Sequence, residues 1–312
     1  MNREPAVAPA PAAAALDSFK ERIERELFRH PVITDNAYTR WFSRGEASLT
    51  QVEDLLLQFS VFSNHFLIVQ AKRMVNAESE EAERGARFIL MSECGVELDR
   101  ATGSTEDRVF KTVSAHINWL RQVGAAIGIE ARRMGRWSLG TPATHAFLDG
   151  LDRTYGSRDG WIGAGASFAI ENWAGFGIGR EPEFEARNFW KELIVGLEGC
   201  NRERQAAGLA PLPLGFFQYH FELESGHAAN VWRELEETFS DPAFDQEKFL
   251  AGGKEALDSI HIFWKGLDSA RRALEPAEEK PLARIVEQTG PPRIDRAWVG
   301  SYAPEQAELA PE

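Results

Sequence analysis

Three residues with metal-binding side chains, His220, Glu224 and His227, are spaced so that a helix would place them on one face. At 100° per residue, the second and third residues fall about 40° and about −20° from the first. Two imidazoles and one carboxylate form a ligand set that suits iron, manganese or zinc. The residues from 214 to 223 are largely apolar and aromatic, which argues against the alternative of a solvated polar face. The triplet therefore predicts a metal site on a partly buried helix.

A single carboxylate, Glu171, interrupts the glycine-rich apolar segment 160–179. A buried carboxylate needs a cation or hydrogen-bond donors, because an unpaired buried charge is strongly unfavourable. We interpret Glu171 as a metal ligand, and the alternative is a carboxyl that is hydrogen-bonded in the core or paired with a buried arginine. The central charge also indicates that this segment is a buried helix of a soluble protein rather than a membrane span.

Two further candidate ligands, Glu93 and His116, lie at apolar positions of predicted helices. Glu93 follows the apolar run 88–91, and Glu97 is its rival one turn later, although we favour a solvent-exposed position for Glu97. A lone histidine on an apolar face is more often a core residue, but together with the other candidates His116 completes a set of three glutamates and three histidines. Its apolar neighbours at helical spacing are Val109, Val113, Leu120 and Val123. Such a set meets the needs of two neighbouring metal ions.

Glu93 and His116 can share a site only if the chain reverses between about residues 98 and 106. The segment contains turn-forming residues, and Thr105 could cap the following helix. We predict that a ring nitrogen of His116 lies within about 6 Å of a Glu93 carboxylate oxygen, so that one ion with ligand bonds of about 2.0–2.2 Å could bridge them.

The elements that must position these residues are helices, because the apolar periodicity is helical almost throughout and no strand-length alternation stands out. Capping signals mark several helix starts, and they are Asp17 or Ser18, Ser48 with Gln51, Ser79, Thr141 with Pro142, and Asp241 with Pro242. The predicted helices span residues 17–30, 48–75, 79–95, 106–130, 141 onward, 160–179, 183–200, 214–239 and 241–274. The predicted fold class is all-α.

Composition narrows the functional class. Lys and Arg total 35 and Asp and Glu total 48, so the net charge is −13, which argues against binding to nucleic acid or to an anionic membrane. Two cysteines exclude a disulfide framework and a four-cysteine zinc site. We expect one cytoplasmic helical domain over 17–275, between a disordered Ala- and Pro-rich tail at 1–16 and a Pro-rich tail or arm at 276–312.

The order of the candidate ligands resembles that of the haem-oxygenase-like diiron oxidases and oxygenases. Their pattern is a Glu, a His after a variable gap, a Glu on a later helix, and a final His-x3-Asp/Glu-x2-His. Glu93, His116, Glu171 and the 220–227 triplet follow this order, and the segment after His116 is also similar to that family. The similarity covers roughly residues 45 to 270. Two departures are the 22-residue gap after Glu93 and the presence of Glu224 where Asp is common.

The resemblance implies an all-α, haem-oxygenase-like bundle of seven or more helices. It implies two Fe²⁺ per chain, although manganese uses similar ligands, and the implied ligands are Glu93, His116, Glu171, His220, Glu224 and His227. The implied activity is an O₂-dependent oxidase or oxygenase acting on a small amine, amino acid or fatty acid, in a biosynthetic pathway. Ferritin-like diiron bundles are disfavoured, because they use two Glu-x-x-His motifs and only one is present.

Two alternatives stay open. One is a metal-free enzyme of the same fold, similar to thiaminase-like or quinone-cofactor-synthesis proteins. The other is an acidic helical interaction protein with a buried polar network. The sequence also leaves open whether the chain is a monomer or a homodimer.

Overall fold

The computed structural model describes residues 10–97, 99 and 104–274, without the side chains of 10–13 and 225–227. Residues 1–9 of the predicted N-terminal tail and the whole predicted arm 276–312 lie outside the described residues. The regular structure of the described part is helical, which confirms an all-α bundle of seven or more helices. The α-helices are α1 Ala10–Ile23, α2 Pro31–Thr34, α3 Ala37–Phe42, α4 Leu49–Val75, α5 Glu80–Glu93, α6 His116–Ala125, α7 Pro142–Arg153, α8 Gly160–Ala174, α9 Pro182–Glu185, α10 Phe189–Ala206, α11 Gly215–Thr238 and α12 Gln246–Ala273.

Three of the five helix starts predicted from capping signals are confirmed. Ser48 and Gln51 form a reciprocal capping box at the start of α4, and Ser79 accepts a hydrogen bond from the backbone of residue 82 at the start of α5. Thr141 caps α7, with Pro142 at its first turn. These signals involve residues three positions apart, so they do not depend on the rest of the fold.

Several other helix bounds differ from the prediction. Helix α1 begins at Ala10 rather than at Asp17, because the alanine-rich segment favours helix. Helix α8 ends at Ala174 and not at 179, since Gly177 and Gly179 adopt positive φ values of 78° and 72°. The predicted helix 183–200 is split into α9 and α10, and α12 begins after Asp245 rather than after Asp241.

The predicted helix 106–130 is the largest error. The structure forms only α6, which begins at His116, after a single 3₁₀ turn at Thr112–Ser114. Upstream, Phe110 pairs with Val96 in an antiparallel bridge, and Phe110 and Val109 are 60% and 65% exposed. The backbone of this segment is therefore tied to the end of α5 instead of forming its own helical hydrogen bonds, and Thr105 does not cap a helix.

Glycines allow the two central helices α8 and α12 to pack closely. A Cβ atom on Gly165 would collide with the carbonyl of Phe249, and one on Gly252 would collide with the carbonyl of Ile162. Gly165 and Gly252 thus allow the backbones of α8 and α12 to lie in close contact.

The helix that has the length and composition of a membrane span is not the apolar segment 160–179. Among the described residues it is α4, Leu49–Val75, and half of its most apolar window is buried inside the bundle. Helix α8 has only 15 residues, which is shorter than the roughly 20 residues that a span needs. Helix α4 packs against α5, α6 and α7, so its apolar face has protein partners.

A buried carboxyl on α10 makes the stability of the fold dependent on pH. Glu192 is 6% exposed, and burial raises its pKa to about 7, in spite of a hydrogen bond from Thr39 and the charges of Arg40 and Arg187, which lower it. An unfolded glutamate titrates near about 4.3, so the folded state binds the extra proton between these values. This contribution to the stability of the folded state is therefore greatest below about pH 4.3, and it is lost as the pH rises to about 7.

We expect Glu192→Gln to remove this pH dependence. Relative to wild type, the variant should gain up to about 3 kcal/mol in unfolding free energy at pH 8, since one pKa unit corresponds to about 1.4 kcal/mol. Urea unfolding of metal-free protein at pH 4.5 and pH 8 measures the difference. Glu203→Gln, an exposed acid on the same helix, is the matched control and should keep the wild-type profile. Equal pH profiles for Glu192→Gln and wild type would contradict the assignment.

Candidate metal centre

Glu93, His116 and His220 form a compact cluster at the meeting point of three helices. Glu93 ends α5, His116 begins α6 and His220 lies on α11. One ligand atom from each residue lies within 4.8 Å of the other two. The Glu93 Oε1 atom is 2.9 Å from Nδ1 of His116 and 3.9 Å from Nε2 of His220. Two ligands of one ion are at most about 4.2 Å apart, so a small contraction would let all three bind a single ion.

The prediction that His116 approaches Glu93 is confirmed by the 2.9 Å contact. Although the two atoms lie close together, Nδ1 of His116 makes no hydrogen bond to a described residue. Donor atoms that converge on a common point without hydrogen bonding to one another have the arrangement of ligands around an ion.

Both imidazoles are oriented by a second interaction. Nδ1 of His220 lies 2.7 Å from the carbonyl oxygen of Phe216. A carbonyl only accepts, so Nδ1 carries the proton and Nε2 presents its lone pair to Glu93. Nε2 of His116 lies 3.4 Å from Oγ of Ser92, and a proton on Nε2 would likewise leave the lone pair of Nδ1 directed at the cluster.

The cluster keeps Glu93 ionised. Burial by itself raises the pKa of the Glu93 carboxyl, but the charges that His116 and His220 carry when they are protonated outweigh burial and hold this pKa well below its usual range. A carboxylate must be deprotonated to bind a metal ion, so Glu93 is in the required state near neutral pH.

A tight backbone turn after α5 brings His116 to Glu93. The N–H of Lys111 donates to the carbonyl of Gly95 at 2.9 Å, and Val96 bridges Phe110. The predicted chain reversal is therefore confirmed between residues 96 and 110. Gly95 has φ +106°, and a Cβ there would lie 2.8 Å from the backbone nitrogen of Ala115 and collide with the carbonyl of Lys111. Only glycine fits this position without strain.

We expect Gly95→Ala to weaken both the fold and the metal site. The strained φ and the backbone collision should cost more than about 1 kcal/mol, and displacement of residues 111–116 should reduce metal binding. Urea unfolding and metal content test this. Gly85→Ala in α5 is the control, because a Cβ at this position would meet nothing within 4 Å. This substitution should stabilise α5 by about 0.5–1 kcal/mol. A Gly95→Ala protein with wild-type stability and metal content would disprove the role of the turn.

Two more predicted ligands, Glu171 and Glu224, line the same cavity of about 90 Å³ as the cluster. Both are 6% exposed, and they lie on α8 and α11, which pack against each other. Five of the six predicted ligands thus surround one cavity. The cavity wall also contains seven aromatic rings, those of Phe59, Phe62, Phe66, Trp173, Phe189, Trp190 and Phe216.

The sixth predicted ligand, His227, lies on α11, but its side chain is outside the described residues. The rival Glu97 is solvent-exposed and pairs with Lys111 at 2.8 Å, as we favoured. His65 lies on α4 between Phe62 and Phe66, but its ring contacts Trp137 and it is not among the residues that line the cavity.

Five aromatic residues near the candidate ligands in the sequence are expected to form cavity walls, and they are Phe168, Trp173, Phe176, Phe216 and Tyr219. Of these, Trp173 and Phe216 line the cavity. Phe168 packs against Phe28 and Trp232 instead. Phe176 borders a separate small pocket, and Tyr219 contacts the ring of His116.

Sequence reasoning missed three residues that build the site. Trp190 stacks on His220 with ring centroids 4.8 Å apart, and Trp119 stacks on His116 at 5.3 Å. Asn188 caps α10 and donates to the carbonyls of Ala174 and residue 176, which ties the end of α8 to the start of α10. The cap and the contact of Trp119 with His116 could have been found from the sequence, because each joins residues two to three positions apart on one helix. The stacking of Trp190 on His220 could not, because these residues are distant along the chain.

Comparison with protein-family models and with curated proteins found no match. The identification of this site therefore depends on its own geometry.

Proposed function

We propose that this protein is a non-haem diiron oxidoreductase that uses O₂ to oxidise or oxygenate a small metabolite. The observation that carries the proposal is the convergence of Glu93, His116, His220, Glu171 and Glu224 on one cavity. These residues come from four helices, and their types and spacing in the sequence predict metal ligands. An interaction protein has no need for such a convergence.

The donor set fits iron. Carboxylate and imidazole ligands of intermediate hardness suit Fe²⁺ and Mn²⁺, and the second hydrogen bond on His220 is typical of a ligating imidazole. The Glu93–His116–His220 cluster would hold one ion, and Glu171 and Glu224 of the same cavity would hold the second. His227 is a further ligand that the sequence predicts. When bound, the two ions would supply the electrons and the open coordination positions for O₂.

The residues of the chain have separate tasks in this proposal. Glu93 provides a carboxylate that stays ionised, and Phe216 and Ser92 orient the two histidines through their ring nitrogens. The aromatic walls exclude bulk water, which strengthens electrostatic interactions in the site and protects reactive species from side reactions. The mostly apolar cavity leaves room for an uncharged part of a small substrate. We infer that the enzyme is soluble and acts in the cytoplasm.

Metal analysis after anaerobic Fe²⁺ loading tests the proposal. We expect about two irons per chain, as the two ligand groups imply, and O₂ uptake when the loaded protein is exposed to air. Retained fold with no bound iron would instead favour a metal-free enzyme or an interaction protein. Parallel loading with Mn²⁺ and Zn²⁺ separates a redox centre from a site that binds any divalent ion, since Zn²⁺ occupies similar ligands without redox chemistry.

A further inference from the structure

We propose that Trp119 and Tyr219 form an electron relay between the metal cluster and the protein surface. This inference rests on the proposed function, because it requires an iron centre that reacts with O₂. When O₂ reacts in the absence of substrate, the relay would supply electrons to the oxidised metal centre. It would thereby protect the ligands and the cavity wall from oxidation.

The relay consists of one layer of side chains. The indole of Trp119 stacks on the ring of His116 with centroids 5.3 Å apart and planes 25° apart. Tyr219 contacts the same imidazole at 5.2 Å and Trp119 at 4.8 Å, in both cases edge to face. His116 is 4% exposed, whereas Trp119 and Tyr219 are half-buried. Electrons can therefore pass from the surface to a candidate ligand through a single ring contact.

The chemistry of the two side chains suits this task. Indole and phenol are the most easily oxidised aromatic side chains. An oxidised phenol must release its proton, and the partial exposure of Tyr219 gives that proton access to water. Close ring contact with an imidazole that would bind iron also keeps the electron-transfer distance short.

Another aromatic residue contacts the cluster but is not exposed to solvent. Trp190 stacks on His220 at 4.8 Å, but it is only 5% exposed, and its buried Nε1 makes no hydrogen bond to a described residue. Trp137 is 43% exposed and stacks on His145, away from the cavity. Contact with a candidate ligand and contact with solvent are combined at Trp119 and Tyr219.

The electron balance is that of a single turnover without substrate. Reduction of one O₂ to two waters takes four electrons, of which two come from the two ferrous ions and two from a relay ring. That ring gains one oxygen atom from water and releases two protons to the solvent. The net reaction converts O₂, two Fe²⁺, two H⁺ and one ring C–H into two Fe³⁺, one ring C–OH and one water. With a one-electron reductant such as ascorbate, the ring would be re-reduced and would remain unmodified.

Peptide mass spectrometry of the whole protein tests the relay. Protein loaded anaerobically with Fe²⁺ is exposed to O₂ without substrate, digested and examined for added oxygen. We expect oxygen on Trp119 or Tyr219 and much less on Trp137, and we expect ascorbate to suppress it. Trp137 is the internal control, because oxidants that diffuse through solution would reach this more exposed indole first. In Trp119→Phe/Tyr219→Phe protein, modification should move to Trp190 or His116, whereas Trp137→Phe should keep the wild-type pattern.

Each contrary outcome has a distinct meaning. O₂ uptake by iron-loaded protein with unmodified Trp119 and Tyr219, or with Trp137 modified at least as much, would overturn the relay and leave the proposed function standing. Absence of bound iron, or of O₂ uptake, would overturn both. The wild-type measurement alone decides between these outcomes if the double variant fails to fold.

Discussion

Replacing Glu93 with glutamine is expected to abolish binding of iron at the cluster while the helical fold is kept. Glu93 is the residue that contacts both His116 and His220, and the amide that replaces its carboxylate is a poor ligand without charge. Loss of supporting hydrogen-bond partners alone typically lowers metal affinity 10–100-fold, so loss of this ligand should lower it by more than about 100-fold. Metal content and circular dichroism, measured on the same preparation, report the two effects separately.

Glu97→Gln is the matched control for this experiment. Glu97 lies one turn beyond Glu93, but it is 48% exposed and pairs with Lys111 at the surface. Exposed pairs contribute about 0–1 kcal/mol, so this variant should keep its iron and nearly all of its stability. Wild-type iron content in Glu93→Gln protein would show that the cluster is a buried charge network rather than a metal site.

Glu171→Gln is expected to remove one of the two irons and to change the stability of the metal-free protein little. Glutamine keeps the shape of the side chain and removes a buried charge, whose desolvation is unfavourable in the absence of metal. If Glu171 were instead the counter-charge of a buried cation, its removal would cost about 3–5 kcal/mol. Unfolding of metal-free wild-type and variant protein distinguishes the two roles.

Another ion pair in the chain serves as a reference for the alternative in which Glu171 is the counter-charge of a buried cation. Arg73 is buried and pairs with Glu234 at 3.0 Å, and Glu234 does not line the cavity. We expect Glu234→Gln to cost up to about 3–5 kcal/mol, because it leaves a buried arginine without this partner, and to leave iron content unchanged. A loss of stability in Glu171→Gln as large as that in Glu234→Gln, with both irons retained, would exclude Glu171 as a ligand.

The sequence was sufficient for features that depend on local interactions. The capping box at Ser48 and the caps at Ser79 and Thr141 could be predicted because each joins residues that are neighbours on one helical turn. The burial of Glu171 and Glu224 could be predicted because apolar neighbours at helical spacing fix which face of a helix packs inward. For His116 the correct neighbours were Leu120 and Val123, because Val109 and Val113 lie outside α6. Five candidate ligands could therefore be selected with no knowledge of the tertiary fold, and the side chain of the sixth, His227, lies outside the described residues.

Only the tertiary structure decided where helix α6 begins and how the candidate ligands meet. The periodicity of 106–115 is helical, yet the hydrogen bond from Lys111 to Gly95 and the bridge from Phe110 to Val96 tie this segment to the end of α5, and only a single 3₁₀ turn forms before α6. Stacking of Trp190 on His220 likewise joins residues from different helices, α10 and α11. Such contacts depend on distances across the bundle, which no spacing along the chain records. For this reason the sequence predicted the residue types of the site, and the packing of α5, α6, α8 and α11 determined its geometry.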